Sequence, residues 1–314
     1  YLKTSMSPWA YKRLEESGGD ISRFSVIRRD PSIGKQIAIS KTEPGDENNQ
    51  DISALVGKVN TSMLDQFQQD DTDAYSYSGG LCKSNQGLME FVEMFKAPIK
   101  VLHPLLTATQ EGNYKGTEPI GNIPFDGLVL AHSNESEWKS FKGNKNNEAF
   151  LDRVHIVKVP YVREASEEAK IYKKMLSESS LANAPCAPGT LEMLSEFIVM
   201  TRLAKPADGS SVYTKMKVYD GNDLSNVDPR AKTIREYKDQ AGLDEGMTGM
   251  STRFAFKTLS ETFNYNAAGT NDEPEADPIK LMMILENQIK KLQLPEEKEY
   301  MSFIKEYLVK DYFK

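Results

Sequence analysis

An α/β region followed by a helical one is the fold class that this sequence predicts, and three observations predict it. In the first half, apolar runs of strand length at residues 88–95, 127–133 and 155–161 alternate with segments of helical period. From Ser166 onward, apolar residues recur at helical spacing in one segment after another. The 314 residues suffice for two domains of ordinary size, and 39% hydrophobic with 27% charged residues describe a soluble globular protein.

The elements follow in order. Residues 5–20 read as a helix closed by Gly18-Gly19, and SVIRRDPSIGKQIAIS adds a strand and a second helix. KTEPGDENNQD, residues 41–51, is acidic and full of turn formers, a solvated connection. After the apolar run at 88–95 comes a helix through Gln110, then a Gly-, Asn- and Pro-rich stretch, Gly112 to Pro124, with the signature of a hairpin. GLVLAHS and HIVKVPY supply the second and third strands. In the second half, EEAKIYKKMLSES with Ser166 at its cap, GTLEMLSEFIVMTRLA, STRFAFKTLSETF, LMMILENQIKKLQL and EKEYMSFIKEYLVKDYF read as helices. Residues 205–245 are polar and turn-rich, an insertion between them. No internal repeat is present.

Composition bounds the function. A net charge of −7 predicts no general affinity for nucleic acid. No apolar run approaches the ~20 residues of a membrane span, and no leader is visible, so no membrane partner is expected. Cys82 and Cys186 lie far apart, and with His103, His132 and His155 they offer no metal-ligand spacing. A reducing cytoplasm is the expected compartment. The chain opens at Tyr1, already amphipathic, and reads as a fragment of something longer.

Four short pieces carry chemistry. GGLCKSNQGLMEFVEM ends an apolar run with Glu90 and Glu93; LVLAHSNESEW runs a strand into Asn134; NNEAFLDRVHIVKVPY carries Arg153; GMSTRFAFKTL carries Arg253 in the helical half. Taken singly, each has an ordinary reading. Glu93 would be a solvated strand end, Asn134 a helix cap, Arg153 an ion pair with Asp152, and Arg253 a solvated helix residue. Their order is what points elsewhere. At the carboxyl ends of parallel strands, side chains face the crevice where α/β sheets bind ligands.

This order resembles the nucleotide-handling core of AAA+ ATPases, in the branch that inserts a hairpin before the sensor strand. The resemblance implies a parallel P-loop NTPase sheet with flanking helices, present in part, then a helical lid and C-terminal helices. It implies that Glu93 activates a water, that Asn134 senses the phosphate, that Arg153 is an arginine finger and that Arg253 is a second sensor in the lid. A closer resemblance, over nearly the whole chain, is to the bacterial PrkA family of serine protein kinases. It rests on SMSPWAYKRLEESGGDISRF, KTEPGDENNQDISALVGKV, NQGLMEFVEMFKAPIKVLHPLLTATQEGNY, LAHSNESEW, NKNNEAFLDR, APCAPGTLE and DEGMTGMSTRFAFK.

That family implies ATP and Mg²⁺ as cofactors, a protein substrate, a ring-forming homo-oligomer, and a serine/threonine protein kinase whose ATP hydrolysis is coupled to action on a protein partner. Remodelling or ATP-dependent proteolysis, and a non-catalytic assembly module touching its partner through the Gly112–Pro124 hairpin, are the alternatives. The expected domains are 1–165 (partial AAA+ subdomain), 166–270 (lid, with the 205–245 insertion) and 271–314 (start of the C-terminal PrkA domain). Two departures matter. No GxxxxGK(S/T) occurs; the nearest fragment, DPSIGKQIA, has Arg29 where the first Gly belongs. Val92 stands where the usual Asp precedes the glutamate, and period-2 alternation places Glu90 opposite Glu93. No HRD or DFG is present. The isolated chain is therefore expected to be inactive toward ATP.

Overall fold

Helix and strand alternate through the first half in the order α1 (Pro8–Glu16), β1 (Ile39–Thr42), α2 (Ser53–Val56), β2 (Lys58–Val59), β3 (Tyr75–Ser76), α3 (Gly80–Lys83), β4 (Leu88–Phe91), α4 (Ile99–Glu111), β5 (Asn113–Lys115), β6 (Asn122–Pro124), β7 (Leu128–Ala131), α5 (Glu135–Gly143) and α6 (Glu148–Leu151). The second half is helical: α7 (Ala165–Ser177), α8 (Thr190–Arg202), α9 (Val212–Tyr219), α10 (Ile234–Ala241), α11 (Thr252–Phe263), α12 (Pro278–Leu292) and α13 (Glu297–Phe303), the last continuing through a π-turn into α14 (Val309–Tyr312). This computed structural model describes residues 6–43, 51–224, 226–265 and 273–313. The chain divides into two units at Ile156/Val157.

In the first unit, β1, β4 and β7 form a parallel sheet with β4 in the centre, registered Ile39↔Leu88↔Leu128 through Thr42↔Phe91↔Ala131. The alternation of LMEF explains its seating: Met89 and Phe91 are buried, against Leu55, Leu81, Leu102 and Tyr114 of the surrounding segments. Helix α4 ends at Gly112, whose φ of 69° is the left-handed stop that glycine adopts without strain. At the start of β4 the three strands converge on Gly87. An added Cβ there would lie 1.8 Å from the Ala38 carbonyl oxygen, whose chain also accepts the Leu88 amide at 2.8 Å. Gly87→Ala is expected to destabilise by about 1–3 kcal/mol or more, because backbone rather than a side-chain tip must move. A thermal midpoint equal to that of the parent would refute this.

The second unit is built around α8. Eleven of its thirteen residues are buried, so it is apolar nearly all round and is surrounded by α7, α9, α11, α12 and α13. Phe197, Met216, Leu259, Leu281, Leu285 and Ile304 meet there, each at 0% exposure.

Several expectations are corrected. HIVKVPY forms no strand; residues 154–164 join no sheet, with Val157 69% and Val159 80% exposed. An alternating apolar run has no strand character of its own without a neighbour to accept its backbone bonds. Residues 24–36 hold a turn closed by a Ser32–Ile37 bridge instead of a second helix. The apolar run at 88–95 is strand only to Phe91 and turns at Glu93 into a single 3-10 turn, Met94–Lys96. Ser166 is not a cap: α7 starts at Ala165, and the Ser166 amide donates to Asp220 Oδ1 at 2.8 Å. The polar 205–245 stretch contains a core helix, α9, with Val212, Met216 and Val218 buried. Of the acidic loop, residues 44–50 lie outside the described residues.

Candidate active site

At the carboxyl edge of the parallel sheet, the central strand ends in a tight turn. Glu93 has φ 48° and ψ 45°, a left-handed conformation that costs a non-glycine residue about 1–2 kcal/mol. The turn is held on both sides: the Val92 amide donates to Thr42 O at 2.9 Å and the Met94 amide to His132 O at 3.1 Å. These bonds tie the Glu93 turn to the ends of β1 and β7, so its place at the strand end is fixed by main-chain bonding from both neighbours. Side-chain alternation stops at Phe91, so it does not orient Glu93. Glu90 points instead to the adjacent strand, with its Oε1 3.5 Å from His132 Nε2.

Glu93 and Asn134 are joined through two residues that sequence reasoning missed. Lys96 Nζ lies 2.7 Å from Glu93 Oε2 and 3.6 Å from Glu137 Oε1. Glu137 Oε1 accepts from Asn134 Nδ2 at 2.7 Å, and its Oε2 accepts from Ser133 Oγ at 2.8 Å. Hydrogen bonding to Glu93 raises the Lys96 ammonium above the ordinary lysine value. Both residues were findable: Glu93/Lys96 and Asn134/Glu137 are spaced by three, and Asn-x-x-Glu is the spacing of a capping box.

Aromatic packing sets this geometry. Phe95, inside the 3-10 turn, lies against Phe141 at 4.4 Å and Trp138 at 5.3 Å between centroids, and Phe141 meets Phe150 at 5.5 Å. Each such pair contributes about 0.5–1.5 kcal/mol beyond burial. The stack presses the turn carrying Glu93 and Lys96 onto α5, which carries Glu137.

Asn134 is the N-cap of α5, its Oδ1 accepting from the Glu137 amide at 2.8 Å. The cap occupies the oxygen and leaves the amide nitrogen on Glu137. Asn134→Ala is expected to cost about 1 kcal/mol of stability through loss of the cap. Asn134→Ser keeps a capping oxygen and removes only the Nδ2 donor, so its unfolding midpoint should stay close to the parent's. A Ser variant as destabilised as Ala would overturn this division.

The structure does not bring Arg153 into this cluster. It is exposed beyond α6 and its Nη1 donates back to Ala149 O at 3.2 Å; among the described residues it makes no ion pair, with Asp152 or otherwise. Arg253 belongs to the second unit. It is the second residue of α11, exposed, two residues beyond the helix's Ser251 cap. The Gly112–Pro124 hairpin forms as β5 and β6 but is not free-standing: its Thr117 amide donates to Tyr75 OH at 3.1 Å, and Ile120 and Ile123 are buried.

Residues 1–210 match the family described as the PrkA AAA domain, and residues 213–314 match the PrkA serine protein kinase C-terminal domain. The chain belongs to the PrkA family. This PrkA chain is 62% identical over 314 residues to "Serine/threonine kinase YeaG" of Escherichia coli (strain K12), covering 99% of this chain and 48% of that one. It is 38% identical over 264 residues to "ATP-dependent protease PrkA" of Bacillus subtilis (strain 168), covering 83% of this chain and 41% of that one. The PrkA chain thus spans about half the length of the curated relatives it matches. Among solved structures, NtrX from Brucella abortus aligns over 85% of this chain and 57% of its own at 11% identity and a TM-score of 0.36, a likeness that carries no argument.

The expected parallel sheet with flanking helices, the partial AAA+ class, is therefore what this PrkA chain has. Its donor set fits one part of a nucleotide site: a carboxylate at the strand end for a water, and an amide beside it. It does not supply the phosphate cradle, since the sequence holds no GxxxxGK(S/T). Among the described residues no cluster of three or more His, Cys, Asp or Glu side chains could hold a metal ion, and no helix is long and apolar enough to cross a membrane.

Proposed function

We propose that this chain carries the water-activating edge of an ATPase site in a PrkA-type serine/threonine kinase, whose ATP hydrolysis is coupled to action on a protein partner. The observation that carries the reading is the strained, doubly anchored turn at Glu93, linked through Lys96 and Glu137 to Asn134 on the next strand. Strain of this kind persists where the surroundings over-determine it, which is characteristic of functional sites. In this mechanism Glu93 accepts the proton of a water and Asn134 Nδ2 orients that water, while Lys96 holds the carboxylate at the strand end. Bound Mg·ATP would supply the electrophilic phosphoryl group, its charge neutralised by the metal. Arg253, in the second unit, is a further candidate phosphate contact. Arg153 would reach a neighbouring copy in a ring, where a finger of this type contributes about 10³–10⁵ in rate.

The name of the Bacillus relative supports a second reading, ATP-dependent proteolysis. A Ser–Lys dyad would need a lysine on a serine hydroxyl. Lys215, the buried lysine of the second unit, instead donates to Ala204 O and Glu245 Oε2, both at 3.0 Å.

The test compares Mg·ATP binding and turnover by this chain and by an N-terminally extended protein carrying a phosphate loop. Turnover by the extended protein alone is the expected result. Micromolar ATP binding by the 314-residue chain would show that its phosphate cradle lies elsewhere and would overturn the assignment of roles. An inert extended protein would favour a non-catalytic assembly module.

A further inference from the structure

Helix α1 is fastened to the first unit unlike any other long helix of the chain: none of its nine residues is buried. Its anchors are ionic. Lys12 Nζ donates to Asp71 Oδ1 and to Asp73 Oδ2, both at 2.7 Å, and Arg13 Nη2 donates to Asp73 Oδ1 at 2.6 Å. Asp73, its side chain 7% exposed, thus serves both cations, while Lys12 and Arg13 stay about one-third exposed. Two lighter contacts complete the seat. Lys12 lies over the Phe67 ring at 5.5 Å, and a Cβ on Gly121, in the turn of the β5–β6 hairpin, would stand 3.3 Å from Pro8 Cγ.

The chain that follows adds little to this hold. Gly18 and Gly19 have φ of 65° and 85°, with no atom within 4 Å of where a Cβ would be. Residues 24–31 form neither helix nor strand, and Val26 and Ile27 are 92% and 74% exposed. The next tie to the unit is the Ser32–Ile37 bridge. Within itself α1 is well begun, with Ser7 Oγ accepting from the Ala10 amide at 3.3 Å and Pro8 in the first turn. Nine residues are nevertheless too few for a helix to persist alone in water. Undocking and melting of α1 are therefore one event.

Partly exposed ion pairs contribute little each and weaken with salt, the screening length falling from about 10 Å at 0.1 M to about 3 Å at 1 M. Release strands no charge, because both cations and the carboxylate they share pass into water together. We propose that α1 is a strap held by charge: it closes over the turn of the β5–β6 hairpin while Lys12 and Arg13 sit on Asp71 and Asp73, and lets go by melting when those carboxylates are screened. Release uncovers the hairpin turn and frees a basic segment. This is independent of the nucleotide reading.

The test is amide hydrogen exchange of the 314-residue chain, read by mass spectrometry on fragments spanning α1 and, as the internal standard, α4. Amides of α1 should exchange about tenfold faster at 1 M than at 0.1 M salt, with α4 unchanged. Lys12→Glu/Arg13→Glu keeps good helix formers in place. It should give the fast exchange already at 0.1 M and abolish the salt response. Adding Asp71→Lys/Asp73→Lys reverses every pair and should restore slow exchange. Salt-independent protection in the parent, or parental protection in the Lys12→Glu/Arg13→Glu chain, would show that packing at Pro8 holds α1 and would overturn the proposal. So would a folded four-fold variant that stays fast. If that variant does not fold, which fast exchange in α4 reveals, Asp73→Asn takes its place. It removes only the shared carboxylate; fast exchange confined to α1 supports the strap, and parental exchange overturns it.

Discussion

Glu93→Gln in the N-terminally extended protein should abolish ATP turnover, a fall of about 10²–10⁴-fold, while nucleotide binding is retained. The amide keeps the size of the side chain and can keep the turn that Thr42 and His132 hold by main-chain bonds. It cannot accept a proton from water at neutral pH. Glu90→Gln is the internal comparison. Its carboxylate faces His132 across the strand pair, so this variant should turn over at the parental rate. Steady-state phosphate release checks both. If Glu93→Gln keeps the parental rate, or if Glu90→Gln is the dead variant, the strand-end carboxylate has been misassigned and the missing acid before Glu93, where Val92 stands, becomes the central question.

Arg202→Met alone should destabilise the chain by about 3–5 kcal/mol, because it strands the fully buried Glu168 carboxylate and removes the donors of Met250 O and Val162 O. Glu168→Leu added to it should recover most of the loss, since an apolar pair of similar volume leaves no uncompensated charge. Thermal unfolding followed by circular dichroism measures both, each kcal/mol moving the midpoint by about 2–4 °C in a unit of this size. A single Arg202→Met variant that melts with the parent would mean that water or a backbone shift satisfies Glu168.

The two variants illustrate what could and could not be read along the chain. Glu93 and Asn134 stand at ends of apolar runs, so their place at strand ends was legible from periodicity. Arg202 looks in sequence like a basic residue in a helix's last turn, an exposed and ordinary position. Only the packing of α7 and α11 against α8 makes it buried. The helices of the second half were legible for the same reason that α8 is central: their apolar spacing is dense and long enough to outweigh local propensity. HIVKVPY shows the limit, as strand-like alternation records a capacity to pair and not the presence of a partner.

The linear order of residues determined that strands and helices alternate before residue 151, that helices follow, and which family the chain belongs to, because these depend on side-chain period and on local strings. Tertiary structure alone decided that Glu93 turns left-handed, that Lys96 and Glu137 link it to Asn134, and that Arg202 is sealed against Glu168. These depend on which surfaces meet. A carboxylate's partners are set in three dimensions by the Phe95–Phe141 stack and by main-chain bonds from neighbouring strands, none of which has a period in the sequence.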